Sequence, residues 1–184
     1  MKKVIITLAK KFPVSHKRSG ELTYFRDKVV NGFLHKAGVS PCDCCKDETR
    51  ICDECFNTKS QFPRTKIHTI RRNISYWTAK CDKVNNGEAE LFIRQWQNRP
   101  YIDPQDKEFC TLNESGYQLV KIKKDHELSS ASILKPGTKY KKIDIDTLAK
   151  HDGLSKEDFL DWFFPNGTNG EIAACILHFT DFRY

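Results

Sequence analysis

The segment Lys66-Ile67-His68-Thr69-Ile70-Arg71-Arg72 places three cations, a histidine and a hydroxyl within seven residues. The simplest interpretation is a short strand over residues 65–71 that buries Ile67 and Ile70 and exposes the other side chains. The second interpretation is a site for an anion or a nucleotide. A Lys beside a Thr hydroxyl can activate that hydroxyl as a nucleophile, and an Arg can hold a phosphate through two parallel hydrogen bonds.

Lys66 and Thr69 are candidate catalytic residues only if the backbone departs from a straight strand. Side chains three positions apart in a strand point to opposite faces of the sheet. Their convergence therefore requires a turn or a bulge in this segment. The remaining polar residues, His68, Arg71 and Arg72, are candidates for contacts with a ligand.

The rest of the chain predicts an α+β domain with mostly antiparallel strands. Residues 3–9 have the composition of a buried first strand, Asn73 can cap a helix that runs to residue 85, and Ser155 can cap a late helix. Another helix is expected over residues 21–31, with Gly32 as its end. Further strands are expected at residues 89–96, 108–112, 117–123 and 172–179.

The composition fits a single domain over residues 1–184 with a buried core, because 39% of the residues are hydrophobic. The formal net charge of +7 permits an anionic partner, with nucleic acid as the first candidate. The apolar stretch at residues 4–9 is too short to cross a membrane, and no small-residue cleavage site follows it. We therefore expect no membrane partner and a cytoplasmic location, where thiols bind metals more often than they form disulfides.

Residues 37–61 form a cysteine-rich insertion within this domain. Cys42 and Cys45 make one Cys-x-x-Cys pair, and Cys52 and Cys55 make a second. Two such pairs can complete a tetrahedral zinc site. We expect a hairpin that holds one structural Zn ion, because four thiolates leave no open position for a catalytic water.

Other uses of these cysteines remain open. The thiols could form a disulfide or a redox-active pair. Cys44 could replace Cys42 or Cys45 as a zinc ligand, and His35 or His68 could replace one of the thiolates.

Three features, in this order along the chain, resemble the ASCH domain, a relative of the PUA RNA-binding fold. The first is an N-terminal strand and helix followed by the Lys66-x-x-Thr69-x-Arg71 segment. The second is Asp152-Gly153-Leu154-Ser155 at the start of a helix, and the third is the terminal strand Ile176-Leu-His-Phe-Thr-Asp-Phe-Arg-Tyr184. The resemblance covers most of the chain outside the cysteine-rich insertion, and it extends to uncharacterised proteins of bacteria and their phages.

The resemblance implies a small, mostly antiparallel β-barrel of the PUA-like type, with flanking helices and a basic cleft that accepts RNA or a nucleoside. One branch of the family, the acetylcytidine amidohydrolases, uses a Lys, a Thr and a Glu. Lys66 and Thr69 match the first two, whereas this chain has Asp152 where the Glu is expected. A Gly usually found two positions before the Lys is also replaced, by Arg64.

Two further basic segments are candidates for ligand contacts. Arg94 lies beside Trp96 near the end of a predicted strand, where it could line the mouth of the barrel. Lys17 and Arg18 follow the first strand, at the end of the fold where the family has its cleft, and could contact a phosphate.

Three functions follow as hypotheses. The first is an ASCH-type module that binds RNA or a modified nucleoside through Lys66, Thr69 and Arg71. The second is an amidohydrolase acting on an acylated nucleoside such as acetylcytidine, in which Thr69 attacks, Lys66 activates it and Asp152 directs the proton. The third is an adaptor that binds a protein partner through the zinc hairpin.

Overall fold

The computed structural model describes residues 2–36, 65–97, 102–126, 128–134 and 140–184. The described residues form an α+β fold, as predicted. The strands are β1 Lys2–Leu8, β2 His68–Arg71, β3 Ala89–Gln95, β4 Cys110–Leu112, β5 Tyr117–Asp125, β6 Leu128–Leu134, β7 Tyr140–Ile143 and β8 Gly170–His178. The helices are α1 Phe25–Lys36, α2 Ile74–Asn85, α3 Ile145–His151 and α4 Lys156–Phe163.

The eight strands of the described residues lie in two sheets. In the first sheet, β1 pairs in parallel with β3, and β4 pairs antiparallel on the other side of β3. The second sheet has the order β2-β8-β5-β6-β7 and is antiparallel throughout. The pairing is mostly antiparallel, as the sequence predicts. No pairing between the described strands joins the two sheets, so these strands do not close into a barrel.

One hydrophobic core contacts both sheets and all four helices. Alternate residues of β1 are buried, as expected for a strand with one face in the core. Valine, isoleucine and leucine side chains of β1, β3, β5 and β8 supply much of this interior. Residues of β1 and β2 both contribute to this core, which fixes the end of β1 close to β2.

Two predicted helix starts are confirmed by their capping hydrogen bonds. The Asn73 side chain accepts from the Tyr76 backbone N–H at 3.2 Å at the start of α2. The Ser155 hydroxyl accepts from the Asp158 backbone N–H at 3.0 Å at the start of α4. Each bond satisfies one of the four N–H groups that the first turn of a helix leaves without a partner.

The predicted end of α1 at Gly32 is wrong. The helix runs from Phe25 to Lys36, so Gly32 lies inside it. Its function is close packing, because a Cβ at Gly32 would lie 3.1 Å from the Lys66 carbonyl oxygen. None of the described helices combines the length and the apolar character that a membrane crossing requires.

Candidate functional site

The segment before β2 is anchored by its backbone to three other elements. Lys66 N–H donates to the Lys28 carbonyl of α1 at 2.9 Å, and Ile67 N–H donates to the His151 carbonyl of α3 at 2.9 Å. The Ile67 carbonyl accepts from Phe179 N–H at 2.8 Å, just after β8. Strand pairing begins only at His68. Lys66 therefore precedes the paired part of the segment, and the backbone hydrogen bonds of residues 66 and 67 go to α1, α3 and the end of β8.

Two glycines let other backbone segments approach Lys66 closely. Gly32 lies against the Lys66 carbonyl, and a Cβ at Gly153 would lie 3.2 Å from the Lys66 Cβ and 3.2 Å from the Lys28 side chain. Gly153 also has φ +77°, a left-handed conformation that a residue with a Cβ adopts only with strain. Since Gly153 follows Asp152, this turn brings the Asp152 side chain to Lys66.

Lys66 and Asp152 form a buried ion pair. The Lys66 ammonium donates to the Asp152 carboxylate and, at 2.7 Å, to the Asp152 carbonyl oxygen. The two residues are only 2% and 6% exposed, and Lys66 Nζ lies 4.3 Å from the centre of the Phe25 ring. Loss of solvation is therefore the main influence on the pKa of both groups.

The pKa of each partner is shifted in the direction that favours its neutral form. Burial, together with the positive charge of Arg71, lowers the pKa of Lys66 against the opposing effect of Asp152. Burial raises the pKa of Asp152 against the opposing effects of Lys66 and Arg71. A proton can therefore move between the amine and the carboxylate with less change in free energy than the same groups would require in water.

Thr69 lies in β2, three positions after Lys66, and is 3% exposed. Its hydroxyl oxygen accepts a hydrogen bond from the Arg71 guanidinium at 3.0 Å. Arg71 also donates to the Thr7 carbonyl at 3.0 Å and to the Ile70 carbonyl at 3.1 Å, which ties β2 to β1. A cation at the hydroxyl oxygen would stabilise negative charge that develops there.

Lys66, Thr69, Arg71 and Asp152 line one cavity of about 1090 Å³. The end of β1 and the following loop form one wall, β2 forms another, and Trp162 of α4 closes a third. Aromatic side chains contribute much of the remaining surface: Phe12, Phe25, Tyr76, Trp77, Trp96 and Phe163. The cavity thus combines a buried polar group with a large aromatic surface, as binding sites for small organic molecules do.

All three tryptophans of the chain, Trp77, Trp96 and Trp162, border this cavity. Trp77 and Trp162 pack against the core, and they are half-buried because they also face the cavity. Lys10 and Lys11, which the sequence reasoning left out, line it as well because they follow β1 directly.

His68 lies behind the ion pair and is fully buried. Its Nε2 forms a hydrogen bond with the Tyr184 hydroxyl at 2.8 Å, and its Nδ1 is 3.7 Å from Asp152 Oδ1. Thr69 and Asp152 line the cavity, but His68 does not.

The other basic candidates pair with groups away from the ion pair. Arg72 is exposed and donates to the Phe163 carbonyl at 3.1 Å. Arg94 pairs with Glu108 at 3.0 Å. Arg18 pairs with Asp158 at 2.8 Å, in the same loop as the exposed Lys17. Ser19 and Gly20 of this loop line the cavity, whereas Lys17 and Arg18 do not.

The predicted zinc ligands Cys42, Cys45, Cys52 and Cys55 lie outside the described residues, as does the alternative ligand Cys44. The described part of the chain contains no group of three or more His, Cys, Asp or Glu side chains that could hold a metal. Its three cysteines, Cys81, Cys110 and Cys175, are free thiols. Structural zinc therefore stays a prediction from the sequence.

No family model, no curated protein and no solved structure matches this chain.

Proposed function

We propose that the protein is an ASCH-type module that binds RNA or a modified nucleoside in the cavity formed by β1, β2 and α4. The observation that carries this proposal is the meeting of three tryptophans with Lys66 and Arg71 around one cavity. Stacking of a base on an aromatic ring contributes about 1–3 kcal/mol per base. The buried polar groups supply hydrogen bonds to the edge of that base.

The charge at the cavity supports a ligand with a phosphate or a polar base edge. Lys10 and Lys11 border the cavity, and Lys10 is half-buried whereas Lys11 is exposed. Solvent-accessible lysines at the border of the cavity suit the phosphates of a single strand, while the aromatic wall suits its bases. The formal net charge of +7 favours the same class of partner.

Equilibrium binding of a labelled short single-stranded RNA and of cytidine tests this proposal. Affinity for RNA should fall as salt rises, with a slope of about −0.7 per phosphate contact. Cytidine carries no phosphate, so its affinity should be nearly independent of salt. Absence of saturable binding of both probes at low salt would contradict the proposal.

The second candidate function is hydrolysis of the amide in an acylated nucleoside such as acetylcytidine. It is favoured by one specific observation: Thr69, its partner Arg71 and the buried Lys66–Asp152 pair line the same cavity. Thr69 and Lys66 match the family's nucleophile and its activator, and Asp152 stands where the family has Glu. Asp is one methylene shorter, and Lys66 reaches this shorter side chain directly.

The proposed reaction begins with transfer of a proton from the Lys66 ammonium to the Asp152 carboxylate. The neutral amine then takes the Thr69 hydroxyl proton while the oxygen forms a bond to the acyl carbon. The carbon–nitrogen bond breaks, and the Lys66 ammonium returns a proton to the departing amine of cytidine. A water molecule cleaves the acyl–Thr69 ester, releases the carboxylic acid and restores the hydroxyl.

Incubation of the protein with acetylcytidine, followed by mass detection of cytidine and acetate, tests this candidate. Conversion above the rate without protein is expected. If acetylcytidine binds but no cytidine forms, the binding module stands and the hydrolase is excluded.

A further inference from the structure

The cavity has a buried inner end and an open outer end. At the inner end, Thr69 and the Lys66–Asp152 pair are at most 6% exposed. At the outer end, Val14 and Tyr76 also line the cavity, yet they are 93% and 50% exposed. The volume of about 1090 Å³ exceeds the range of about 300–1,000 Å³ that is usual for a pocket holding one drug-sized ligand. The cavity therefore has room for more than the one nucleoside that its inner end would hold.

A series of contacts between cations and aromatic rings leads from the inner end to the outer end. The Arg71 guanidinium, which donates to the Thr69 hydroxyl, lies 6.0 Å from the centre of the Trp77 ring. The centres of the Trp77 and Tyr76 rings are 5.1 Å apart. Lys80, one turn later in α2, places its Nζ 5.3 Å from the centre of the Tyr76 ring. The two rings are thus successive aromatic surfaces, the first beside the buried polar groups and the second at the outer end.

The Tyr76 and Trp77 rings are perpendicular, with an interplanar angle of 89°. A base that stacks on a ring lies parallel to it, so two bases on these rings would be perpendicular to each other. Neighbouring bases in a duplex are parallel, whereas those of a single strand can be unstacked and splayed apart. The arrangement therefore fits a single strand that turns sharply at the outer end, with one base inside the cavity and the next base outside it.

The charge beside Tyr76 favours a nucleotide over an apolar side chain of a protein partner. The Lys80 ammonium lies over one face of the ring, so a base would stack on the other face. This ammonium also brings positive charge to the outer end, in addition to that of Lys10 and Lys11 at the border of the cavity. The phosphate that joins an inner nucleotide to an outer one would therefore be attracted to this end of the cavity.

We propose that Tyr76, beside Lys80, is a second stacking subsite, and that the ligand of the cavity is a single-stranded RNA rather than a free nucleoside. One base lies inside the cavity against Trp77, and the neighbouring base of the same strand stacks on Tyr76. This subsite rests on the proposed binding function, and it specifies the class of ligand that the function requires.

Three probes separate the contributions of the inner base, the phosphates and the neighbouring base. The first is cytidine. The second is cytidine with a methyl phosphate diester at both its 3′ and its 5′ position, and the third is the trinucleotide adenylyl-cytidylyl-adenosine, which has the same two diester charges and a base on each side. Calorimetry should show that the trinucleotide binds about 5- to 150-fold more tightly than the methyl diester, because one additional base is stacked.

Substitutions of Tyr76 assign this difference to its ring. Tyr76→Leu should lower the affinity for the trinucleotide at least about fivefold more than it lowers the affinity for cytidine. Tyr76→Phe keeps the ring and should retain the affinity of the wild type for the trinucleotide within about twofold. The control is Tyr140→Leu in β7, because Tyr140 is 41% exposed and has the Lys121 ammonium 5.0 Å from its ring centre, but it does not line the cavity. This control should leave all three affinities unchanged.

The outcomes distinguish the subsite from the binding function on which it rests. If cytidine binds and the trinucleotide binds no more tightly than the methyl diester, the subsite is overturned and the proposed function stands. The subsite is also overturned if Tyr140→Leu lowers the affinity for the trinucleotide as much as Tyr76→Leu does. If none of the three probes binds, the proposed function fails and the subsite fails with it.

Discussion

Lys66 donates hydrogen bonds to both the side chain and the backbone carbonyl of Asp152, so one ammonium group holds that residue in position. Both residues are buried beneath a cavity with aromatic walls. A buried ion pair is a weak source of net stability, but removal of one partner leaves the other charge without compensation. This arrangement therefore points to a role in function more than in folding.

Asp152→Asn should destabilise the protein by about 3–5 kcal/mol, because the Lys66 ammonium would remain buried without a counter-charge. The free energy of unfolding in urea at neutral pH measures this effect. Asp146→Asn is a matched control, since Asp146 forms an exposed pair with Lys156 at 3.7 Å. That change should cost less than about 1 kcal/mol. Equal losses in the two variants would show that the Lys66–Asp152 pair is not buried as described.

Gly153→Ala should destabilise the protein more than Gly87→Ala does. Both glycines have left-handed φ angles, +77° and +73°, so an alanine costs about 1–2 kcal/mol of backbone strain at either position. Only at Gly153 does the new Cβ meet Lys66 and Lys28, whereas at Gly87 nothing lies within 4 Å. The crowding should add about 1–3 kcal/mol.

Denaturant unfolding and cytidine binding together check this comparison. Gly153→Ala should weaken binding of cytidine because it moves Lys66, and Gly87→Ala should not. Equal unfolding free energies and equal affinities in the two variants would contradict the close packing of Gly153 on Lys66.

Stability should decrease in acid because the fold keeps three histidines neutral: His68 and His178, which are buried, and His151, which is half-buried. Burial lowers the pKa of His151 to about 4 and of His178 to about 3, and it holds the pKa of His68 well below its ordinary value. The unfolded chain binds these protons near pH 6.5, roughly, and the folded chain does not. The free energy of unfolding is therefore highest above that pH and is lost as the pH falls toward the folded pKa values.

The contribution of one histidine can be isolated with His178→Leu. Neither ring nitrogen of His178 has a hydrogen-bond partner among the described residues, so an apolar side chain of similar size should be tolerated. Between neutral pH and pH 5 or so, the wild type should lose about 2 kcal/mol more than this variant. The raised pKa of Asp152 acts in the opposite direction, but it is common to both proteins. Identical pH dependence in urea unfolding would argue against a neutral, buried His178.

Replacement of Lys10 and Lys11 by Ala should reduce the salt dependence of RNA binding. Each lost phosphate contact should make the slope of log affinity against log salt less steep by about 0.7. Lys123→Ala with Lys124→Ala is the control, because these residues of β5 do not border the cavity. If the control pair changes the slope and the Lys10–Lys11 pair does not, RNA binds to the sheet instead of the cavity.

Thr69→Val should abolish turnover of acetylcytidine while nucleoside affinity stays within about fivefold, since valine keeps the shape and removes the nucleophile. Thr69→Ser restores a hydroxyl and should retain turnover within about tenfold. Rates come from mass detection of cytidine, with unfolding curves to show that each variant folds. Full turnover in Thr69→Val would exclude Thr69 as the nucleophile.

The sequence predicted the parts of the fold that have strong local signals. Residues 4–7 are a continuous β-branched run within the predicted strand 3–9, and Asn73 and Ser155 are capping residues at helix starts, so β1, α2 and α4 could be identified. The strand β6 could not be identified, because Ser129, Ser130 and Ser132 are not residues enriched in strands, and the strand depends on pairing with β5.

Long-range packing decided the features that the sequence did not predict. A glycine at position 32 predicts a helix end, but Gly32 lies inside α1, where the Lys66 carbonyl leaves little room for a Cβ. The helix α3 has only seven residues, too few for a clear periodic pattern. For the site, Lys66 and Thr69 were candidates from the composition of their segment, and Asp152 was a candidate from the resemblance to the ASCH domain; all three line one cavity. The position of His68 behind Asp152 depends on where β2 begins and on Tyr184, which is 116 positions away.

Intrinsic tryptophan fluorescence during titration with cytidine is the most direct test of the proposed binding site. Because all three tryptophans of the chain border the cavity, a nucleoside that enters it must alter their emission. The account predicts saturable quenching, a similar affinity at low and high salt, and a weaker affinity in Trp77→Leu. No saturable change in emission, at cytidine concentrations where binding is detected by calorimetry, would contradict the assignment of this cavity as the ligand site.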